Sequence, residues 1–400
     1  MKSSYQTKLL IEQHFHGAFG VDFNKASVDD VLYLSKEILK YGIGGIFPTV
    51  VTDSIENTRR AVSVIKEASQ KQTSDMAKIL GIHLEGIFIN PEKKGIHNPK
   101  HFLSPTVENY KLVEDNFIKI VTLAPELDNG LIKYLKDKNV KVQAGHCTGG
   151  DLTGCSGVTH LFNAMSGITH RGKSAALSAL INDDIYTEII ADGVHVSDDA
   201  LKLLFKTKPI DKIILVSDCL PCTKLEDKRV RGLEDKLFND ISHSEVLQEQ
   251  QSDNDHTSIP PYLYTSVFAD ETIYYDGVKA TSKEGTLAGS TTLLPEIIKR
   301  LAGKIEDRKA GGMNVRQLTG EQGSGSQEVK PFNNSNIDEN LKEQQNDNNL
   351  PIRSLASRPF DTDHTSIKQL INNPYKYHNI DLNGSIEWDG DWNIVSVNNQ

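Results

Sequence analysis

Short apolar segments alternate with longer amphipathic segments from residue 9 to about residue 303. The apolar segments are rich in β-branched residues and read as near-continuous hydrophobic runs, which is typical of parallel strands buried on both faces. Eight such segments are predicted to be strands, at 8–15, 44–51, 78–85, 118–125, 140–146, 157–163, 187–196 and 212–218.

Amphipathic helices are predicted between most of these strands. The first is the segment SVDDVLYLSKEILKYG, in which Ser27 is the N-cap, Asp30 completes a capping box and Gly42 stops the helix. The others are predicted at 54–70, 129–139, 197–207 and 291–303. Eight strands that mostly alternate with helices predict an α/β chain with a (β/α)8 TIM barrel. A doubly wound open sheet is the alternative, because alternation does not by itself show closure.

Two polar segments interrupt the pattern. Residues 224–262 are charged and polar, and residues 304–350 are poor in apolar side chains and rich in Asn and Gln. Such segments bury too little surface to offset their ordering entropy, so we expect disordered insertions. The domain prediction is therefore a barrel at 1–303 carrying the insert 224–262, an insertion at 304–350, and a helix with residual β-strands at 351–400.

Composition narrows the function classes. The formal net charge of -10 argues against nucleic acid or an anionic membrane as the main partner. The chain has no apolar run long enough to span a bilayer, and its first residues lack the apolar core of a secretory signal. With four cysteines and no export signal, we expect a reduced, cytoplasmic location.

Metal-binding and proton-transferring residues lie at or just past the carboxyl ends of most predicted strands. These residues are His14, His16, Glu85, His146, His160, Asn163, Asp192, His195 and Asp218. Barrel active sites are built at that face, and imidazole with carboxylate suits zinc, iron, manganese or cobalt. Singly, each of these residues also has a structural interpretation, such as a helix cap or a loop hydrogen bond. Together they favour a metal site.

The expected division of labour follows from the types of side chain. Glu85, His146 and His160 offer three ligands and leave a position open, which is the catalytic arrangement. His14 and His16 are predicted to hold a second metal ion, with Glu85 shared. Asp218 is predicted to act as the general base and later as the general acid on a metal-activated water.

The motifs resemble those of a known family. HLEGIFINPEKKGIHNP, GHCTGG, THLFNAMSGITHR, ADGVHV, LVSD and GTLAGSTTLL occur in the order found in N-acetylglucosamine-6-phosphate deacetylases, which are metal-dependent barrels of the amidohydrolase superfamily. The resemblance covers about residues 9–303 and resumes at about 365–397. It implies hydrolysis of the N-acetyl group of N-acetylglucosamine 6-phosphate to glucosamine 6-phosphate and acetate.

The resemblance also implies residue roles. Glu85, His146 and His160 match the ligands of the main metal, Asp218 matches the catalytic acid and base, and His97 would polarise the amide carbonyl. The implied cofactor is a divalent metal ion, zinc or iron, with one or two ions per subunit.

The implied substrate contacts lie in later motifs. Asn163 and Ala164 would face the phosphate, Arg171 resembles a phosphate-binding arginine, and His195 resembles a further sugar-phosphate contact. In relatives the arginine can come from the neighbouring subunit, which implies a homodimer. A loop over the sugar would be formed by Leu287, Ala288 and Gly289.

The chain also departs from the family pattern. Only thirteen residues precede His14, so the small β-sandwich of relatives is expected to be reduced or absent. The arginine begins the run RGKSAAL, in place of a Glu-Pro-Gly-like run after it. Two alternatives remain open at this stage. One is a cyclic-amide hydrolase of the same superfamily, which the lack of a lysine at the fourth strand end disfavours. The other is a degenerate barrel that binds amino-sugar phosphates without turnover.

Overall fold

The computed structural model describes residues 4–172, 174–225, 264–310 and 364–399. The strands of these residues are β1 Tyr5–Lys8, β2 Leu10–Phe15, β3 Gly17–Ala18, β4 Val21–Asp22, β5 Ile43–Val51, β6 Lys78–Ile79, β7 Ile82–Glu85, β8 Ile118–Leu123, β9 Lys141–Ala144, β10 Gly157–Val158, β11 Tyr186–Ile189, β12 Ile213–Leu215, β13 Tyr264–Phe268, β14 Glu271–Tyr275, β15 Ala280–Thr281, β16 Leu287–Gly289, β17 Ser385–Trp388 and β18 Ile394–Asn398.

The α-helices of the described residues are α1 Val28–Leu39, α2 Ile55–Lys71, α3 Val107–Tyr110, α4 Leu131–Asp137, α5 Ala175–Ile181, α6 Asp198–Thr207, α7 Leu294–Ala310 and α8 His364–His378. Short 3-10 helices lie at Pro91–Lys93, Pro99–His101, Pro125–Leu127 and Ile210–Lys212. The predicted capping box is present: the Ser27 side chain accepts from the Asp30 backbone, and the Asp30 side chain accepts from the Ser27 backbone. None of the helices in these residues is both long and apolar enough to cross a lipid bilayer.

The central sheet is a parallel barrel. Its strands follow the order β2, β5, β7, β8, β9, β10, β11, β12, so each strand neighbours the next one of the barrel along the chain. Backbone hydrogen bonds join the first and last strand ends: Asp218 N–H donates to the His14 carbonyl at 2.8 Å, and His16 N–H donates to the Cys219 carbonyl at 2.9 Å. The (β/α)8 prediction is confirmed, and the doubly wound alternative is wrong because the sheet closes at its carboxyl end.

Helix α8 covers the seam between β12 and β2. The Asn373 side chain donates to the carbonyls of Ile210 and Ile213 at 2.7 and 2.6 Å, and the Tyr375 hydroxyl donates to the Leu9 carbonyl at 2.6 Å. These bonds satisfy backbone groups at the amino end of the barrel, where β2 and β12 begin. The last described helix thus holds together the first and last strands of the barrel.

A small antiparallel sheet of β1, β17 and β18 stands beside the barrel. The Trp388 ring is buried in it and donates from Nε1 to the Thr7 hydroxyl at 2.9 Å, while the Tyr5 ring stacks on Trp392 at 5.4 Å. This sheet corresponds to the predicted remnant of the sandwich, in its reduced form.

A second antiparallel sheet, β13 to β16, was not predicted as a unit. The β13–β14 hairpin turns at Ala269 and Asp270, which have φ values of +51° and +65°. Its last strand joins the barrel mouth, because Ser290 N–H donates to the Asp218 carbonyl at 2.8 Å. This sheet therefore places β16 beside the end of β12.

The described residues cover only part of the predicted domains and insertions. Helix α7 continues to Ala310, so residues 304–310, predicted as the start of an insertion, are helical. Residues 226–262 of the first predicted insert, 311–350 of the second, and 351–363 of the predicted tail lie outside the described residues.

Candidate metal centre

The strand-end histidines and carboxylates meet in one buried cluster. Its members are His14, His16, Glu85, His146, His160 and Asp218, and each is at most 8% exposed. They come from the carboxyl ends of β2, β7, β9, β10 and β12, because parallel strands of a barrel direct those ends to the same face. We call these six residues the cluster.

Glu85 divides the cluster into two parts. Its Oε1 lies 3.0 Å from His160 Nε2 and 3.3 Å from His146 Nε2, and these two nitrogens are 3.2 Å apart. Its Oε2 lies 3.0 Å from His16 Nε2 and 3.2 Å from His14 Nε2. Asp218 Oδ1 completes the second part, at 3.1 Å from His16 Nε2 and 3.4 Å from His14 Nε2. Each part gathers donor atoms at the mutual spacing of ligands around one metal ion.

Hydrogen-bond polarity tests whether a cation fits. His146 Nδ1 lies 2.8 Å from the Lys93 carbonyl, which only accepts, so this nitrogen carries the proton and Nε2 presents a lone pair to Glu85 Oε1. His14 Nδ1 likewise donates to Glu188 Oε2 at 3.0 Å, so its Nε2 faces Glu85 Oε2. Neither His14 Nε2 nor Glu85 Oε2 has a hydrogen-bond partner in the described chain. Facing lone pairs repel unless positive charge lies between them, so the donor set fits a metal ion.

The pKa values of the cluster residues also indicate a site that favours positive charge. Burial alone lowers the pKa of His16, but the nearby carboxylates of Asp218 and Glu85 outweigh burial and raise the pKa to about 9. Burial alone raises the pKa of Glu85, but His14 and the other imidazoles bring that pKa well below its ordinary value. The protein on its own would therefore bind protons here, and a divalent cation meets the same requirement.

The backbone is unusual at three cluster residues. His146, His160 and Asp218 have φ values of +48°, +30° and +54°, in a region that few residues other than glycine adopt. Each follows the end of a barrel strand, where the chain turns sharply and the side chain is directed into the cluster. Such conformations cost free energy and are common at functional sites.

A cavity of 510 Å³ opens over the cluster. Most residues predicted to contact a substrate line this cavity, namely His97, Asn163, Ala164, His195, Leu287, Ala288 and Gly289. Arg171 does not line it: its side chain is exposed on the loop before α5. The structure thus brings together every predicted site residue except Arg171.

Neighbouring side chains orient two of the lining histidines. His97 Nδ1 lies 2.7 Å from the Thr52 hydroxyl, and burial holds the pKa of this imidazole well below its usual range. His195 Nδ1 lies 2.8 Å from Asp192 Oδ2, which also accepts from the Ser290 hydroxyl at 2.9 Å. Burial lowers the pKa of His195, but Asp192 outweighs it and the pKa is raised. The cavity therefore has one imidazole whose pKa is lowered and another whose pKa is raised.

Sequence reasoning missed several residues around the site. Glu188 contacts His14 from within β11, where a lone carboxylate in the apolar run TEII was the available signal. Phe268 of β13 lines the cavity with its ring 5.0 Å from the His16 ring. No sequence signal identified Phe268, because its approach depends on the unpredicted β13–β16 sheet.

Comparisons with known proteins place the chain. No protein-family model matches it. It is 34% identical over 244 residues to the N-acetylglucosamine-6-phosphate deacetylase of Bacillus subtilis, covering 57% of this chain and 59% of that protein. It is 30% identical over 262 residues to the Caenorhabditis elegans protein of the same name, covering 57% of this chain and 62% of that protein. The match thus spans about three fifths of the length of these curated relatives.

A solved structure extends the likeness to nearly the whole chain. The crystal structure of N-acetylglucosamine-6-phosphate deacetylase from Thermotoga maritima superposes with a TM-score of 0.68 at 20% identity, covering 98% of this chain and 86% of that one. At that identity the superposition establishes the fold. The chain is therefore related in sequence to the N-acetylglucosamine-6-phosphate deacetylases and has their fold, as its motifs predict.

Proposed function

We propose that this protein hydrolyses the N-acetyl group of N-acetylglucosamine 6-phosphate and releases acetate and glucosamine 6-phosphate. The observation that carries the proposal is the two-part cluster on the floor of a cavity lined by His97, Asn163, Ala164 and His195. A protein that only bound the sugar phosphate would not need the Glu85 carboxylate to face two pairs of imidazoles. It would also not need a second carboxylate, that of Asp218, beside one of these pairs.

In this proposal Glu85, His146 and His160 hold the main metal ion, zinc or iron, and His14 and His16 hold a second one with Glu85 shared. A divalent cation bound there supplies Lewis acidity, which lowers the pKa of a water molecule and polarises a carbonyl. The side chains fix the position of the reacting groups, since all of these ligands are buried and lie on the rigid barrel rim.

Asp218 is the proposed acid and base. Its carboxylate lines the cavity and is 8% exposed, so it can reach both a water molecule and a substrate. Burial alone raises its pKa, but His14 and His16 outweigh burial and lower it, so the carboxylate is ionised and able to accept a proton. It would take a proton from the attacking water and return it to the nitrogen of the leaving amine.

The remaining contacts are assigned by chemistry and position. We propose that His97, held by Thr52, donates to the amide carbonyl oxygen of the substrate. His195, whose pKa is raised by Asp192, and the polar groups of Asn163 and Ala164 would bind the phosphate. A wall over the sugar would be formed by Leu287, Ala288 and Gly289.

Release of acetate tests the proposal. Purified protein loaded with Zn²⁺ or Fe²⁺ is expected to release acetate from N-acetylglucosamine 6-phosphate faster than from its C4 epimer. Asp218→Asn keeps the shape of the side chain and tolerates the positive φ, yet it cannot accept the proton, so we expect kcat to fall by about 10²–10⁴. Absence of turnover in wild type, or unchanged turnover in Asp218→Asn, would contradict the mechanism.

We also propose a homodimer in which Arg171 binds the phosphate at the neighbouring cavity. Its exposed guanidinium does not line the cavity of its own chain, and arginine is suited to bidentate contact with phosphate.

The protein would work in the cytoplasm, since its cysteines Cys147, Cys155, Cys219 and Cys222 are free thiols.

Complementation tests the shared arginine. Arg171→Ala and Asp218→Asn are each expected to lose activity alone. Mixed dimers would recover one working site, in which the intact Asp218 of one subunit meets the intact Arg171 of the other. Arg59→Ala, on the exposed face of α2, is the matched control and should keep full activity. A monomer by light scattering, or no recovery on mixing, would contradict the dimer.

A further inference from the structure

We propose that Glu188, Gln13 and His378 form a hydrogen-bonded relay that positions His14 to bind metal. The proposal rests on the proposed function in one respect, namely that His14 is a metal ligand. Glu188, Gln13 and His378 are positioning residues, because none of them lines the cavity. We call the chain His378–Gln13–Glu188–His14 the relay.

The contacts of the relay are short and continuous. His378 Nε2 lies 2.8 Å from Gln13 Oε1, and Gln13 Nε2 lies 2.6 Å from Glu188 Oε1. Glu188 Oε2 lies 3.0 Å from His14 Nδ1. The relay therefore runs from the last residue of α8 to Nδ1 of His14, the ring nitrogen that does not face the other residues of the cluster.

The direction of every bond in the relay follows from the carboxylate of Glu188, whose two oxygens accept from Gln13 Nε2 and His14 Nδ1. Gln13 must turn its NH₂ toward Glu188, which leaves its carbonyl oxygen for the Nε2–H of His378. His14 must carry its proton on Nδ1, which leaves the lone pair of Nε2 facing Glu85. The relay thereby selects the one neutral tautomer of His14 that can bind a metal ion at Nε2.

Burial makes this selection strong. Gln13, His14 and Glu188 are each at most 1% exposed, so water does not compete for their polar atoms. A buried carboxylate without partners is costly, and Glu188 also accepts from the His160 backbone N–H at 3.3 Å. Glu188 is thereby held on one side by two side chains of β2 and on the other by the backbone that follows β10.

An irregularity in the first barrel strand permits the arrangement. Gln13 and His14 are consecutive, and consecutive side chains of a regular strand point to opposite faces. The pairing of β2 with β5 shifts register between Glu12 and Phe15, and both side chains reach the same carboxylate. A regular strand would offer Glu188 only one of them.

Isosteric exchange of the carboxylate and the amide tests the relay. In Glu188→Gln, the new amide meets two donors, Gln13 and His14, so one of them must face an NH₂ group. In the exchange Gln13→Glu with Glu188→Gln, the carboxylate at position 13 accepts from His378, and the amide at position 188 donates to it. The amide oxygen then accepts from His14 Nδ1, so every bond of the relay is restored.

Binding of Co²⁺ to metal-free protein is the readout, followed by equilibrium dialysis and by the visible absorption of the bound ion. The molar equivalent of bound Co²⁺ that is lost in His14→Ala is the equivalent that depends on His14. We expect Glu188→Gln to weaken that equivalent by about 10–100-fold, Gln13→Glu alone to weaken it at least as much, and the exchanged pair to recover most of the loss. A merely structural role would not be rescued by moving the charge to position 13.

Thr187→Val is the matched control. Thr187 precedes Glu188 on β11, is buried, and has a hydroxyl without a hydrogen-bond partner among the described residues, so the isosteric change should leave Co²⁺ binding unaltered. If Gln13→Glu alone does not fold, comparison of Glu188→Gln with the exchanged pair still decides the matter.

Three outcomes would overturn the relay: wild-type affinity in Glu188→Gln, no recovery in the exchanged pair, or no Co²⁺ equivalent that depends on His14. These outcomes are independent of acetate release. A protein that shows the expected Co²⁺ pattern but does not deacetylate would contradict the proposed function and not the relay.

Discussion

Gly86 allows the backbone conformation next to Glu85, the residue that both parts of the cluster share. It directly follows Glu85 and has a φ of +115°, which side chains rarely permit. A Cβ atom at this position would lie 1.9 Å from the Thr52 hydroxyl and 3.0 Å from His97 Nδ1. The absence of a side chain at position 86 thus allows Thr52 to hold both His97 and the Ile87 backbone.

We expect Gly86→Ala to lower the free energy of unfolding by about 2–5 kcal/mol, the sum of a left-handed alanine and a steric clash with fixed neighbours. Metal affinity should fall as well, because Glu85 moves with its backbone. Urea denaturation and Co²⁺ titration measure the two effects. Gly167→Ala is the control, since a Cβ there meets no atom within 4 Å. Equal stability of the two variants would show that position 86 is not constrained in this way.

At the residue scale, the sequence predicted which side chains meet but not how they are held. The cluster residues could be found because histidines and carboxylates recurred at strand ends. Their orientation could not, because it depends on Glu188, on Thr52 and on positive φ at His146 and Asp218, which are set by tertiary contacts. Arg171 was predicted on motif alone, and its role depends on the proposed second subunit.

At the scale of elements, α8 contacts the interior of the barrel through its last residue. Its last residue, His378, stacks on the Phe47 ring at 4.2 Å and contacts Gln13. Burial lowers the pKa of His378 to about 3, with Lys141 adding to the effect and Glu188 opposing it. The helix is therefore docked through a neutral imidazole.

This imidazole makes stability depend on pH in a defined direction. In the unfolded chain His378 takes up a proton near pH 6.5, whereas in the folded chain it stays neutral until about pH 3. Stability from this residue is thus present above pH 6.5 and is lost as the pH falls from 6.5 toward 3. Between pH 7 and pH 5, wild type should lose about 1–2 kcal/mol more than His378→Gln, which keeps a donor for Gln13.

Chemical denaturation of metal-free protein at several pH values measures this difference. Comparing wild type with His378→Gln removes the contribution of the cluster, which is common to both. His101→Gln serves as a control, because that histidine lies outside the barrel and contacts Asp270 at 3.4 Å. Parallel stability profiles for wild type and His378→Gln would contradict a neutral, partly buried His378.

The elements themselves were largely predictable, for physical reasons that also explain the exceptions. Buried parallel strands can be predicted because they are apolar runs, and the start of α1 can be predicted from the Ser27 capping box. The β13–β14 hairpin was missed because its turn uses Ala269 and Asp270 at positive φ, where glycine or asparagine is the usual signal. The last helix before the second polar segment was predicted at 291–303, whereas α7 extends to Ala310.

At the scale of the whole molecule, the cluster lies where the barrel closes. His14 and Asp218 belong to the first and last strand ends, and their backbones hydrogen-bond to each other at 2.8 Å. Their side chains meet through the second part of the cluster, where Glu85 Oε2 and Asp218 Oδ1 face the same imidazoles. A metal ion there would join the two ends of the barrel sheet as well as serve the chemistry.

Removal of metal should therefore destabilise the entire fold. A ligand that binds only the folded state adds about 4 kcal/mol of stability at a thousand times its dissociation constant. We expect chelated protein to unfold at lower urea, and added Co²⁺ to restore stability in proportion to the logarithm of its free concentration. Glu85→Gln should lose most of this gain because both parts of the cluster share Glu85, whereas His14→Ala should lose only the share of the second part. The Thr187→Val protein should respond to Co²⁺ as wild type does. If chelation left the unfolding transition of wild type unchanged, the cluster would not hold a metal ion in the folded protein, and the barrel would close without one.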